Sequence, residues 1–395
     1  MLEIQKKRKC TGCGACSNVC PTAAITMRAD SEGFSYPLID DGKCIDCKKC
    51  KNVCPTRKEN QAEWSLASKK ESYLCYINDE QARLASSSGG IFYALAMACI
   101  RSGGVVFGVK FDKEWKAVHA EALDAAEVAR FQVSKYVQSD IGDTYKKAKA
   151  YLEEGKKVLF SGAPCQIAGL KKFLGRDYEN LTTCDFICHG VPSPGVWQSY
   201  VKYREEQAGA KAMQVQFRDK TEGWLNSFFF SFLFHNKEKY RKYKTKDIYY
   251  KGFLNNLFVR PCCHKCSFKG FRRAADITIA DAWGIQTYAP EFYDEKGVSV
   301  IISHTDRGAD AYDAIQGAMT SRHIDVEKPI QYNANFHHSE MCSLHRKKFF
   351  ADWKARGIEI AVESNLKFYD KLFRKGVSIL KRMPIYIKRF RTRKS

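Results

Sequence analysis

Missing from this 395-residue chain is any apolar run of the length needed to span a bilayer, which argues against an integral membrane helix. Low-complexity tracts and solenoid repeats are absent too, so the chain reads as folded domains rather than a disordered or repeat array. No secretory leader is expected, because the opening MLEIQKKRKC is charged and runs straight into a cysteine. Acid is in deficit: 44 Asp and Glu face 65 Lys and Arg, a net charge of +21. Such an excess admits nucleic acid, an anionic membrane surface or an acidic partner protein. No nucleic-acid-binding motif accompanies it, and the densest basic run is terminal, so no nucleic-acid partner is expected. Between residues 371 and 395 there are ten Lys or Arg and no acid, interleaved with Phe373, Ile379, Leu380, Ile385 and Phe390 and broken at Pro384. The segment reads either as a basic amphipathic contact for an anionic membrane or partner, or as a solvated charged tail.

Cysteine, by contrast, is plentiful at 17 residues, and eight of these fall in the first 54. Cys10, Cys13, Cys16 and Cys20 precede Pro21, and Cys44, Cys47, Cys50 and Cys54 precede Pro55 in the same spacing. A cubane iron-sulfur cluster needs four converging thiolates; a Cys-x2-Cys-x2-Cys loop supplies three, and the fourth cysteine reaches across to the other cluster. The expected sets are therefore Cys10, Cys13, Cys16 with Cys54, and Cys44, Cys47, Cys50 with Cys20. A disulfide framework gives no reason for a repeated 2-2-3 spacing, and structural zinc needs one closed set of four rather than two interlocked ones. These residues resemble a two-cluster bacterial ferredoxin. Thiolates in this number suit a reducing cytoplasm, the expected location, with membrane association through the basic C-terminus as an extension of it.

Four regions are expected: a ferredoxin domain over 1–58, a polar linker over 59–71, a large domain over 72–340 and a helical basic extension over 341–395. In the large domain, strands at 73–77, 105–111, 156–162 and 181–187 alternate with helices at 91–101 and 165–174, the pattern of a parallel sheet with crossover helices. A helix near 194–207, strands at 213–218 and 226–234, a helix near 247–256, strands at 276–281 and 298–303 and a helix at about 307–319 follow. The run FFFSFLF at 228–234 is too apolar for an exposed edge and is expected as an antiparallel extension, which makes the sheet mixed.

Three motifs lie just past expected strand ends, where open α/β sheets place ligands. Ser86, Ser87, Ser88, Gly89 and Gly90 offer hydroxyls, amides and a helix N-terminus to a phosphate; a serine-rich helix cap is the plainer alternative. Cys165, Cys188, Cys263 and Cys266 can converge on one sheet edge as a third cubane site, with zinc (aided by His189 or His264) or inert thiols as the alternatives. Cys75, Cys99 and Cys342 read as inert. Asp281 in ADITIADAWGI is either a cofactor- or substrate-positioning carboxylate or a turn residue.

SSSGGIF, SGAPCQIAGLKKFL, DFICHGVPSP, the Cys263/Cys266 pair, DITIADAWGI and GVSVIISHTDRG together resemble the coenzyme F-420 hydrogenase/dehydrogenase beta-subunit family, in its bacterial branch with an N-terminal two-cluster ferredoxin domain. The resemblance implies a large α/β flavin-binding domain with FAD near residues 86–90, and an additional 4Fe-4S cluster at Cys165, Cys188, Cys263 and Cys266. It implies an iron-sulfur flavoprotein oxidoreductase that takes electrons from ferredoxin or another redox protein and passes them through the clusters to FAD and a small organic acceptor. Asp281, His189 and Lys269 are then candidates at the flavin or substrate, and the bacterial relatives suggest a setting in surface-polysaccharide metabolism. A non-catalytic electron-transfer subunit of a larger redox complex is the alternative.

Overall fold

The computed structural model describes residues 4–60, 71–226 and 228–382, and side chains as far as residue 366. Most of the expected linker (61–70) and the side chains of the basic tail lie outside the described residues.

The N-terminal region is a pair of cysteine loops around a hairpin, β1 (Ile25–Ala29) and β2 (Ser35–Ile39). The Asp30 carboxylate closes its turn by accepting the amides of Glu32 and Phe34. Phe34 at the tip is fully buried, and it is buried in the large domain, among Val196, Trp197 and Tyr200. The ferredoxin-like region is thus nailed to its neighbour by an aromatic side chain. Arg346 adds a bidentate ion pair to Glu32, at 2.7 and 2.6 Å.

The large domain is built from β3 (Glu71–Ile77), β4 (Val105–Phe111), β5 (Ala117–Ala122), β6 (Val158–Ser161), β7 (Leu181–Phe186), β8 (Ala212–Asp219), β9 (Phe229–Phe234), β10 (Lys239–Tyr243), β11 (Ile277–Asp281), β12 (Ser299–Ser303) and β13 (Met319–His323). Among the described residues eight of these form one mixed sheet in the order β13-β3-β12-β11-β7-β6-β4-β5. β4, β6, β7 and β11 are parallel, while β5, β12 and β13 each run against a neighbour. Val158, Leu159 and Phe160 are buried, as is all of β12, because both faces of the sheet are covered. β6, β7 and β11 end on one edge. β3, antiparallel to β12, points the same way, so Cys165, Cys188, Asp281 and residues 86–90 all follow strands that end there.

Expected and observed elements agree closely at 91–101, 105–111 and 181–186. Two expectations need correction. The Phe-rich run does not extend the main sheet: β9 is the middle strand of a separate sheet, β10-β9-β8, with Phe230, Phe232 and Phe234 buried on one face. The helix expected to 319 stops at Asp313, and Met319–His323 forms the edge strand β13, its register set by β3 rather than by local pattern. The C-terminal helix, Arg346–Arg382, breaks at Gly357 and buries Phe349, Phe350, Ile358 and Val362 in the core that holds Phe34. Among the described residues no helix is long and apolar enough to cross a membrane.

Candidate metal centres

The two N-terminal motifs place their sulfurs in two groups that exchange fourth members. Negative charge at Cys54 and Cys10 pushes against ionisation of Cys13, whose thiol burial lifts to about 12. Cys16 is raised by burial and then by Cys13, Cys10 and Cys54. Cys20 instead lines a hollow with Cys44, Cys47 and Cys50, and Cys50 is raised by burial and by Cys47 and Cys20. Thiols that resist ionisation while crowding one another are what a cationic iron core would relieve. Each motif also ends Cys-Pro-Thr, and Thr22 and Thr56 bring their hydroxyls to 3.7 and 3.4 Å from the Cys20 and Cys54 sulfurs. Sequence reasoning stopped at the proline and missed this; the repeated Thr was its signal.

At the edge of the main sheet Cys165, Cys188, Cys263 and Cys266 line one cleft of about 580 Å³. Cys165 opens the helix Pro164–Leu174 after β6, Cys188 follows β7, and the short helix Pro261–Lys265 delivers the other two. Burial raises Cys165, and Cys266, Cys188 and Cys263 raise it further. Cys188 is lifted to about 12 by burial and by Cys263, against the pull of Lys269. A tetrahedral zinc, with Zn–S near ~2.3 Å, would draw its sulfurs to about 3.8 Å apart. Among the described residues no three His, Cys, Asp or Glu side chains close on one ion in that way. The donor set suits a larger polynuclear group.

The helix Pro164–Leu174 also joins this cleft to the first cysteine set. A Cβ on Gly169 would stand 3.0 Å from the Cys13 sulfur, so only glycine lets the loop lie against the helix. Tyr145, fully buried, donates to the Gln166 carbonyl at 2.7 Å and feels both Cys13 and Cys165.

The three candidate catalytic residues separate. Lys269 Nζ donates to the carbonyls of Cys188 and Asn335 at 2.5 and 2.8 Å, and so sits in the wall of the cysteine cleft. His189 lies there too, with Nε2 3.2 Å from Asn256 Oδ1 and Nδ1 3.4 Å from Glu340; burial lowers its pKa although Glu340 opposes the shift. Both ring nitrogens face protein groups, which leaves neither for a metal. Asp281 stands elsewhere on the edge, paired at 3.2 Å with Arg218 and accepting the Trp224 indole N–H at 2.8 Å. Burial works against the Arg218 charge, and Asp281 and Tyr136 more than restore it.

Residues 86–90 reach the same edge with their polar atoms already engaged. Ser86 donates to the Ala82 carbonyl, Ser88 to the Val298 carbonyl, and the Gly89 amide to Ser299 Oγ. Gly90 is the left-handed cap of Ile91–Arg101. Ser87 alone faces another hydroxyl, Ser134 Oγ at 3.0 Å. Lys220 clamps the loop by donating to the carbonyls of Arg83, Ser88 and Lys296. Arg218, Lys220 and Arg260 were not legible as site residues, since no spacing marks a buried cation.

Residues 9–58 match the family described as 4Fe-4S dicluster domain, so the chain is an iron-sulfur redox protein. Residues 155–329, which contain Cys165, Cys188, Cys263, Cys266 and Asp281, match the C-terminal region of the coenzyme F420 hydrogenase/dehydrogenase beta-subunit family; over that segment the chain belongs to this family, as the sequence motifs indicated. The chain is 27% identical over 171 residues to the coenzyme F420-dependent sulfite reductase of Methanocaldococcus jannaschii, an alignment that takes in 43% of this chain and 26% of that protein. It therefore spans about a quarter of the length of this curated relative. A chain of the F420-reducing NiFe hydrogenase complex from Methanosarcina barkeri aligns with a TM-score of 0.44 at 16% identity, covering 76% of this chain and 91% of that one.

Proposed function

We propose that the protein is an iron-sulfur flavoprotein oxidoreductase that passes electrons from its ferredoxin-type 4Fe-4S clusters to FAD and on to an organic acceptor, with ferredoxin or another redox protein as donor. One observation carries the reading: three sets of four cysteines succeed one another from the surface inward, and the second and third share the helix Pro164–Leu174. When bound, clusters carry electrons singly and a flavin carries one or two, so the set would convert single electrons into a pair. Cys20, Cys44, Cys47 and Cys50 would hold the outer cluster, Cys10, Cys13, Cys16 and Cys54 the inner one, and Cys165, Cys188, Cys263 and Cys266 the third. Lys269 and His189, in the wall of the third site, would orient its ligands and balance their charge, and Asp281 would fix Arg218 at the edge where residues 86–90 would meet the flavin phosphates. The surface-polysaccharide setting implied by the resemblance belongs to this proposal, as does a contact of residues 371–395 with an anionic membrane.

A second reading, a non-catalytic electron-transfer subunit, is favoured by the satisfied polar groups of Ser86, Ser88 and Gly89, which leave a flavin few free donors. Anaerobic purification with iron, acid-labile sulfide and flavin counted per chain decides between them. About twelve irons and one FAD support the flavoprotein, since each cubane holds four irons. About twelve irons without flavin favours the second reading, and about eight removes the third site from both.

A further inference from the structure

Arg260 is fully buried, and among the described residues no carboxylate pairs with it. Its Nη1 donates to Gln138 Oε1 at 2.8 Å, its Nε to the Cys10 carbonyl at 2.9 Å, and its Nη2 to the Ser35 carbonyl at 3.0 Å, while Nη2 also lies 3.8 Å from the Cys10 sulfur. Gln138 itself is tied to the Thr11 carbonyl, and the guanidinium lies over the Tyr36 ring at 4.3 Å. These neutral acceptors orient the guanidinium without cancelling its charge. A buried cation left uncompensated is strongly destabilising. Negative charge does surround it, at sulfur: burial works against the ionised guanidinium, and Cys10, Cys262 and Cys263 favour it.

The placement is specific. Gly12, with φ +69°, lies inside the first ligand loop, and a Cβ there would stand 2.8 Å from Arg260 Nη1. The loop is bare where the guanidinium enters. Arg260 also begins the segment that carries Cys263 and Cys266, and its carbonyl accepts the Cys263 amide at 3.0 Å. One short segment thus supplies ligands to the third site and a cation to the inner one.

We propose that Arg260 is the counter-ion of the inner cluster and sets its reduction potential, favouring the reduced, more negative state at the site that faces the third cluster. The proposal rests on the reading of the N-terminal cysteines as cluster ligands. Net charge and hydrogen bonds to the sulfurs are among the determinants of such potentials. The outer set has no equivalent: Lys48 and Lys49, which line its hollow, are solvent-exposed, where water screens them.

The test is a redox titration of the full-length, anaerobically loaded protein followed by electron paramagnetic resonance. Iron and sulfide are counted first, and Cys47→Ser, which touches the outer set alone, assigns the signals. In R260Q the inner cluster's potential is expected to fall while the outer one stays in place. R260K, which keeps the charge and loses the fork, should show a smaller fall of the same sign, and carries the test if R260Q does not hold iron. An inner potential that does not move, or an equal fall at both clusters, overturns the role of Arg260. A wild-type chain without iron at these cysteines overturns the ligand reading instead.

Discussion

The two N-terminal cysteine sets have the same spacing, the same Cys-Pro-Thr ending and nearly the same local turns, yet they occupy opposite environments. The inner set is packed against Gly169, Ile141 and Arg260 of the large domain. The outer set is ringed by solvent: Cys47 is exposed, and Ile45 beside it is 65% exposed. A repeat written once in sequence and copied thus yields one buried and one surface site, and docking against the second domain makes the difference. Local sequence specifies which atoms can bind; tertiary contact decides what the bound group would feel.

The contrast is broken most severely by removing one ligand from each set. Cys54→Ser should abolish the inner set's iron and, by stranding Arg260, lower stability by about 3–5 kcal/mol. Cys47→Ser should cost the outer set's iron with much less loss of stability. Equal melting shifts in the two variants would show that docking does not distinguish the sets. Next in size is a comparison of buried arginines: Arg218 has a carboxylate where Arg260 has none, so Asp281→Asn should cost about 3 kcal/mol or more whether or not iron is loaded. Denaturant melts of loaded and stripped protein check this, because only the Arg260 variants should depend on loading.

Much of this was legible beforehand. The cysteine spacing and the exchanged fourth ligands could be written down from residues 10–54, and β4 and the helix 91–101 from their apolar runs and flanking glycines. What escaped was set by partners distant in sequence. β13 is a strand because β3 offers it a free edge, and β9 is central because β8 and β10 flank it. Arg260 owes its importance to Cys10, 250 residues away. No local pattern encodes such a pairing.

Two smaller effects sharpen the comparison. Glu32→Gln removes the charged half of the pair with Arg346 and should cost about 1.5–3 kcal/mol, with the inner cysteines becoming reactive to alkylating agents before the outer ones do in the iron-free chain. His119, beneath the segment 138–141 that walls the inner set, is held down to about 4 by burial. Its neutral form stabilises the fold fully above pH 6.5, and that contribution is lost as pH falls from 6.5 toward 4, by ~1.4 kcal/mol per unit. Melting temperature against pH should therefore slope across that window in the wild type and flatten in His119→Gln; parallel curves would remove His119 from the account.

The bare face of Gly169 has a consequence for timing. Cys165 and Gly169 are one turn apart on a single helix, a rise of roughly 6 Å. The gap an electron would cross between the inner and third sites is therefore spanned by hydrogen-bonded main chain, with no mobile side chain to widen it. Its tunnelling distance is fixed by covalent geometry, so the hop rate there should respond to driving force and hardly at all to solvent viscosity.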